Sequence, residues 1–544
     1  MQKTLNNVKI HKVIVGHYYS GKWILNGSRK VQPLIIVTFL VTSVLLNACA
    51  VGPDFHPLPP PATQHYTRLP LPKKTVSISA PGNAGKAQYF VWKQQISQTW
   101  WELFRSQQLN ALVAAGLRHN QTLAQAKATL QESQEMLQAA IGSLLLPSID
   151  LQGAAQRNRV ASVQYGVPIP PNVFSLYTLG GKLTYVLDVF GKQRRQVEIY
   201  RARVDYERYE LLAAYLTLTS NITMTFINIA SIEAQIAQTR ELITAEKNIL
   251  RIVTQQFAVG GASEKEVLSQ KTTLAQTEAQ LPPLQKAWSE SQHAMAVLIG
   301  KPTSQAGPFY YHLDALHLPA TLPIRLPSDL VQQRPDIQAA QALLHEASAE
   351  IGVATANLFP EVTLTGSYAW LSTMLSTLFT PNSVIWDYGG NFIQPLIHGG
   401  ALLAERRATI AAYQASLAQY QQTVLEAFKE VSDVLRAIEA DAKEFKEKFQ
   451  AEQAAKKTLQ IVRQQFQVGG ENYLSVLTAE KEYETLKIKR LEAQAARYSD
   501  TVTLFQALGG GWWNPPQRVH KHILTLPPPQ QEAHSIASTR RATS

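Results

Sequence analysis

The stretch that decides the fold occurs twice: Leu250-Arg-Ile-Val-Thr-Gln-Gln-Phe-Ala-Val-Gly-Gly261 and Leu459-Gln-Ile-Val-Arg-Gln-Gln-Phe-Gln-Val-Gly-Gly470. The copies lie 209 residues apart, and the register continues without a gap to Ile299-Gly300 against Leu508-Gly509. Upstream, Leu146-Pro-Ser-Ile-Asp-Leu-Gln-Gly153 matches Phe359-Pro-Glu-Val-Thr-Leu-Thr-Gly366 at a spacing of 213. A repeat of this kind is read before any local feature, because it sets the architecture. It predicts an internal duplication whose halves join near residues 301–327.

Working outward, each copy ends a long seven-residue pattern. Ile222, Ile229, Ile236, Ile243, Leu250 and Phe257 form one row. Ile410, Leu417, Val424, Val431, Ile438 and Phe445 form the other; Glu452 interrupts it before Leu459 and Phe466 resume it. A second row, Phe428, Leu435, Ala442 and Phe449, runs beside it. Sustained heptads predict coiled-coil-like packing. No proline stands between Asn172 and Leu281 or between Leu396 and Asn514, so nothing breaks these helices. Arg194 to Phe257 alone is 64 residues, about 95 Å of helix. Val267, Leu274, Leu281, Trp288 and Met295 continue the spacing on a return helix. The chain therefore turns back at each Val-Gly-Gly, where glycine suits a left-handed helix cap.

Four segments between the helices alternate with period two. Ile149, Leu151, Gly153 and Ala155 oppose Asp150, Gln152 and Gln156. Tyr177, Leu179, Gly181, Leu183, Tyr185 and Leu187 oppose Thr178, Lys182, Thr184 and Asp188. Val362, Leu364, Tyr368 and Trp370 oppose Glu361, Thr363, Thr365 and Ser367; Trp386, Tyr388, Phe392 and Leu396 oppose Asp387 and Asn391. One apolar and one polar face suits a wall with lipid outside and water inside. A spanning sheet must close on itself, and the smallest bacterial barrels have about eight strands. Four strands therefore require several copies: two would supply eight strands, three would supply twelve.

The ends differ from the body. The chain carries a net charge of +11, but residues 1–48 hold six basic side chains and no acidic one, and the tail after Trp513 holds a further net three. The body is close to neutral, which excludes a nucleic-acid-binding face. Arg29-Lys30 precedes the apolar run Pro33–Leu46, which reads as a secretory leader over residues 1–48. The run ends at Leu46-Asn-Ala-Cys49, similar to a bacterial lipobox in which the cysteine is lipidated and becomes the mature amino terminus. Cys49 is the sole cysteine, so no thiol metal cluster or intrachain disulfide exists. Residues 53–86, rich in Pro, Ser and Thr, predict an extended and poorly packed spacer, and residues 514–544 a disordered tail.

Several motifs resemble the TolC-like outer-membrane efflux family in its NodT-type lipoprotein branch. They are Cys49-Ala-Val-Gly-Pro-Asp-Phe, Trp100-Trp-Glu-Leu-Phe, Leu326-Pro-Ser-Asp-Leu-Val-Gln-Gln-Arg-Pro-Asp-Ile337, Gln394-Pro-Leu-Ile-His-Gly-Gly400 and Leu508-Gly-Gly-Gly-Trp512. The resemblance spans about residues 49–514. One departure is Ile397-His398, where family members commonly carry Phe-Asp; it is expected to alter the strand-to-helix corner and leave the fold. The resemblance implies a mainly α fold with membrane β structure, in which each chain gives four strands to a trimeric 12-stranded β-barrel continuous with a long periplasmic α-helical barrel.

On that reading residues 49–98 are a lipidated extended segment. Residues 99–310 form the first repeat, with strands about 147–158 and 175–190 and helices about 191–258 and 263–299. Residues 311–513 form the second, with strands about 360–371 and 384–397 and helices about 400–466 and 472–508. The implied partners are two further copies, outer-membrane lipid, a periplasmic adaptor and an inner-membrane pump. The implied adaptor-binding tips are Val259, Gly260 and Gly261 with Val468, Gly469 and Gly470. The candidate aperture is Arg463, Phe466, Glu471, Asn472, Tyr473 and Leu474.

No His-Glu-x-x-His, phosphate-binding loop or nucleophile constellation occurs, so no enzyme, cofactor or metal is expected beyond the lipid on Cys49. Two other readings keep the same helices. One couples the channel to protein secretion or metal efflux; the other is a lipid-anchored periplasmic coiled-coil scaffold without a pore.

Overall fold

The computed structural model describes residues 50–514, except 64, 81, 161–169 and 171. The leader, Cys49 and the tail from residue 515 lie outside the described residues. The elements in chain order are β1 (Tyr89–Trp92), α1 (Gln107–His119), α2 (Gln121–Leu145), β2 (Ser148–Val160), β3 (Asn172–Leu187), α3 (Lys192–Ala258), α4 (Glu264–Glu278) and α5 (Leu281–Leu298). The second half adds β4 (Thr321–Ile324), α6 (Pro327–Gln333), α7 (Pro335–Ala356), β5 (Glu361–Ser372), β6 (Val384–Ile393), α8 (Ala401–Gln467) and α9 (Tyr473–Ala507).

The long helices α3 and α8 are each 67 residues, about 100 Å of continuous helix. Their heptad rows are the buried seam: Ile222, Ile229, Ile236 and Ile243 in α3, and Val424, Val431, Ile438, Phe445 and Leu459 in α8. Glu452, the interruption in the α8 row, is nonetheless buried, and Arg490 of α9 donates to it at 3.1 Å. Glu246 of α3 occupies a similar position in the buried row Thr239, Glu246, Val253; Lys481 of α9 reaches it at 2.9 Å. Each buried acid thus binds its long helix to α9.

The sheet order is β2-β3-β5-β6, antiparallel throughout. Its register lines up the apolar positions across all four strands. Ile149 faces Leu183, Leu151 faces Gly181, Gly181 faces Tyr368, and Tyr368 faces Trp386. One residue along, Asp150, Lys182, Ser367 and Asp387 form a polar row on the other face. The edges β2 and β6 have no partner beyond this sheet among the described residues.

Four features differ from the sequence expectation. The first return helix, expected over 263–299, is two helices, because Pro282 and Pro283 at the start of α5 remove consecutive backbone donors. The second, α9, is unbroken. β3 ends at Leu187, because the Asp188 carboxylate accepts from the Gln193 and Arg194 amides at 2.9 Å and caps α3. β6 ends at Ile393, before Pro395; α8 then starts from Gly400 with no side-chain cap, so the corner carrying His398 is the less fixed of the two.

The fourth difference is the spacer. The described residues of 53–86 are irregular and mostly exposed, but the helices anchor them at several points. Tyr66 meets Phe428 edge to face, Ser432 donates to the Tyr66 carbonyl at 2.8 Å, and buried Arg497 donates to the carbonyls of Ala84 and Lys86. β1 then pairs in parallel with β4, from Tyr89 opposite Thr321 to Trp92 opposite Ile324.

A core of Trp100, Phe104, Leu109, Phe226, Leu316, Ile324, Tyr498 and Phe505 joins this region to the middle of α3 and the end of α9. The Arg-Pro-Asp motif explains itself here. The guanidinium of Arg334 binds Asp336, Glu430 of α8 at 2.8 Å and the Ala507 carbonyl at 3.0 Å, so one side chain ties three helices. Among the described residues no helix is long and apolar enough to cross a membrane.

Candidate functional site

The two helix reversals are built alike. Gly260 and Gly469 adopt φ of 79° and 78°, which only glycine takes without strain. Gly261 N–H donates to Gln256 C=O at 2.7 Å while Gly260 N–H donates to Phe257 C=O; Gly470 and Gly469 repeat this onto Gln465 and Phe466. This is the Schellman arrangement, which satisfies the last helix carbonyls. It leaves Val259 and Val468 at the apices, 83% and 84% exposed. Each return helix then starts on a side-chain cap: Ser263 with Glu266 in a reciprocal capping box, and Asn472 accepting from Ser475 N–H at 2.9 Å.

The six aperture candidates separate by contact. Phe466 lies 5.3 Å from Tyr473, ring to ring, across the reversal. Leu474 packs against a small cluster of Ile249, Val253, Val267 and Leu477, which joins the ends of α3 and α4 to α9. Asn472 serves as the α9 cap. Arg463 pairs with Glu480 at 3.2 Å, while Glu471 is exposed. Sequence reasoning missed Glu480 and the Lys481–Glu246 pair. Glu480 lies 17 positions from Arg463, a contact that only the folded hairpin creates.

Further along the α8–α9 pair, the Asp441 and Asp500 carboxyls face one another. Burial, then the charge of Asp500, pushes Asp441 up to about 7; Glu444 adds to this and Arg497 opposes it. With its affinity for protons raised on folding, the native state binds more protons than the unfolded chain between the ordinary carboxylate range and pH 7. Stability therefore falls as pH rises through that window. Asp441→Asn is expected to flatten the dependence and to stabilise the protein at pH 7.5 by about 1–2 kcal/mol, after discounting for partial exposure. Thermal midpoints at pH 5 and 7.5 check this; an unchanged slope in the variant refutes it. Among the described residues no group of three His, Asp or Glu side chains is placed to hold a metal ion.

The family model for outer membrane efflux proteins matches residues 98–301 and 326–510. The chain belongs to the outer membrane efflux protein family. It is an outer-membrane efflux channel, and the two matched stretches each contain one long helix, one reversal and two of the four sheet strands.

Curated relatives cover most of this efflux channel. It is 26% identical to the pyoverdine export outer membrane protein OpmQ of Pseudomonas aeruginosa, over 80% of this chain and 94% of that one. It is 25% identical to the probable outer membrane lipoprotein SilC of Salmonella typhimurium, over 86% of this chain and 97% of that one. Among solved structures it matches the outer-membrane channel OprN with a TM-score of 0.74 at 25% identity, over 86% of this chain and all of the other. The Campylobacter jejuni CmeC outer membrane channel shares the fold at the same TM-score and 22% identity, covering 85% of this chain and 95% of that one.

Proposed function

We propose that three copies of this chain assemble into a passive conduit for small molecules, with a 12-stranded barrel in the outer membrane and the long helices reaching into the periplasm. The observation that carries this reading is the open four-stranded sheet: one continuous apolar face and two edges unpaired among the described residues. In lipid those edges must be paired, and pairing β6 of one copy with β2 of the next satisfies both. The repeated order of elements in the two halves, and the two stretches matched by one family model, support descent from an internal duplication.

In this reading a covalent lipid on Cys49 is an accessory anchor, in keeping with the lipoprotein name of SilC. The exposed Val259-Gly260-Gly261 and Val468-Gly469-Gly470 apices receive a periplasmic adaptor that leads to an inner-membrane pump, which supplies the energy. The chain itself performs no catalysis. Cross-linking of the detergent-solubilised protein tests the assembly. A covalent ladder ending at three copies is expected; one ending at two, or a conducting monomer, overturns it.

The same reading places a gate at the reversal of α8 into α9. Arg463 and Glu480, partly exposed, hold the two arms together there, with the Phe466–Tyr473 contact just beyond. Arg463→Ala is expected to raise single-channel conductance in a planar bilayer severalfold, and Glu471→Ala, whose side chain is exposed, to add little. Conductance unchanged by Arg463→Ala would remove Arg463 from the gate.

A further inference from the structure

The motif Val51-Gly-Pro-Asp-Phe55 lies outside the efflux machinery described above, yet the folded body contacts nearly every residue of it. Val51 N–H donates to the Phe190 carbonyl at 3.0 Å, at the corner where β3 passes into α3. Arg195 in the first turn of α3 supplies the rest of the polar contacts. Its Nη2 donates to Asp54 Oδ1 at 2.7 Å and to the Gly52 carbonyl at 3.4 Å, and its Nε donates to the Val51 carbonyl at 3.4 Å. Nη1 donates to Glu198 at 2.8 Å. The guanidinium is almost wholly buried, so its planar fork is committed to these acceptors.

The other contacts fix shape. Gly52 has a φ of 94°, and a Cβ there would lie 2.5 Å from the Cα of Gly352 in α7. A Cβ on Gly352 would in turn lie 2.8 Å from the Arg195 side chain. Both glycines are therefore required for the segment to lie against α7 above the guanidinium. Pro53 restricts the backbone between Gly52 and Asp54 and lowers the entropy lost on docking. Phe55 stacks on the His345 ring, with centroids 4.4 Å apart and planes 14° apart. His345 Nε2 lies 2.8 Å from Glu198 Oε1, so the stack and the guanidinium share one carboxylate. Those hydrogen bonds, His345 first and Arg195 next, hold the Glu198 carboxyl below its usual range and keep it charged.

We propose that the first turns of α3 and the second half of α7 form a docking site for the segment Val51–Phe55, and that this site fixes the mature amino terminus at the sheet-to-helix corner independently of any lipid. Arg195, Glu198, His345 and Gly352 are the receptor; a backbone carbonyl pair, a carboxylate and an aromatic ring are the ligand. The chemistry is peptide recognition within one chain, with backbone contacts giving affinity and Asp54 and Phe55 giving specificity. A lipid attached one residue before Ala50 would then be held at the corner by a built clasp instead of swinging on a free tether. This goes beyond the channel reading and does not depend on the lipid on Cys49.

The test uses the full chain with a nitroxide spin label on His56→Cys, an exposed position just past the clasp. A strongly immobilised line shape is expected in the purified channel. Arg195→Ala is expected to lose that immobilised component while the oligomer persists in detergent. Because Arg195→Ala could disturb the start of α3, the pair Asp54→Asn with Phe55→Ala alters only the segment and is expected to lose the component equally. Cys49→Ala, secreted on a leader cleaved by a non-lipoprotein route, is expected to keep it. The proposal is overturned if the label stays immobile in the Asp54→Asn, Phe55→Ala protein, or if it becomes mobile in Cys49→Ala, which would assign the restraint to the lipid.

Discussion

Replacing Lys481 with Met is expected to destabilise the protein by about 3–5 kcal/mol, the usual cost of leaving a buried charge without its partner. Glu246 is fully buried in α3, and neither of its oxygens has a hydrogen-bond partner among the described residues beyond the ion pair with Lys481 at 2.9 Å. Lys481 is itself partly exposed, so its own solvation offsets little of the loss. The double replacement Glu246→Leu with Lys481→Met removes the orphaned carboxylate and is expected to recover most of the stability. A double-mutant cycle on thermal midpoints decides between them. If the costs of the two single changes simply add in the pair, the ion pair is not what joins α3 to α9. The pair lies about one helical turn from Ile249 and Leu477 of the cluster with Val253 and Val267, so its loss should also loosen the reversals and raise conductance.

The second large effect is expected at Trp100. Its side chain is fully buried, stacked on Phe505 at 5.3 Å and meeting Trp101 and Phe104 edge-on. Trp100→Ala should cost about 3–5 kcal/mol through lost burial and an unfilled cavity. The indole N–H, however, has no acceptor among the described residues. An unsatisfied buried donor is itself unfavourable, by about 1–3 kcal/mol. Trp100→Phe keeps a ring on Phe505 and removes that donor, so it should retain most of the stability. A Phe variant as unstable as the Ala variant would show that the indole nitrogen is satisfied after all.

The parts of the fold legible in the sequence are those with a strict local period. The α3 and α8 rows and the four alternating strands could be read because helix and strand geometry place every seventh or second residue on one face. Periodicity also misled: the row Val267, Leu274, Leu281, Trp288, Met295 runs through the break before Pro282 and Pro283 as if the helix were whole. Four helices went unread, the seven-residue α6 among them. In α7 the buried face is largely alanine, from Ala339 to Ala356, and in α2 few residues are buried, so neither shows an apolar stripe against its neighbours. α1 is short, with Leu109, Leu112, Val113 and Gly116 as its buried face. β1 and β4 are four residues each and pair across more than two hundred positions, beyond any local signal.

For the candidate site the division is similar. The Val-Gly-Gly reversals were legible because the required conformation belongs to glycine itself. The partners of Arg463, Glu246 and Glu452 were not, since each lies on a helix brought alongside by the return of the chain. The motif Val51–Phe55 was visible as part of the stretch that carries the family resemblance, but its meaning required the Arg195 guanidinium and Gly352, which lie far along the chain.

The unpaired edges of the sheet carry a cost before the channel exists. A lone chain presents 13 residues of β2 and 10 of β6 whose outward-facing backbone groups have no strand partner among the described residues, with Ile149, Leu151, Trp386, Tyr388 and Phe392 exposed beside them. Such edges are templates for indiscriminate strand addition. The newly exported protein is therefore an aggregation hazard throughout its transit to the outer membrane. In the assembly proposed above, the sheet that closes the pore also obliges the cell to shield the unassembled chain until its neighbours arrive.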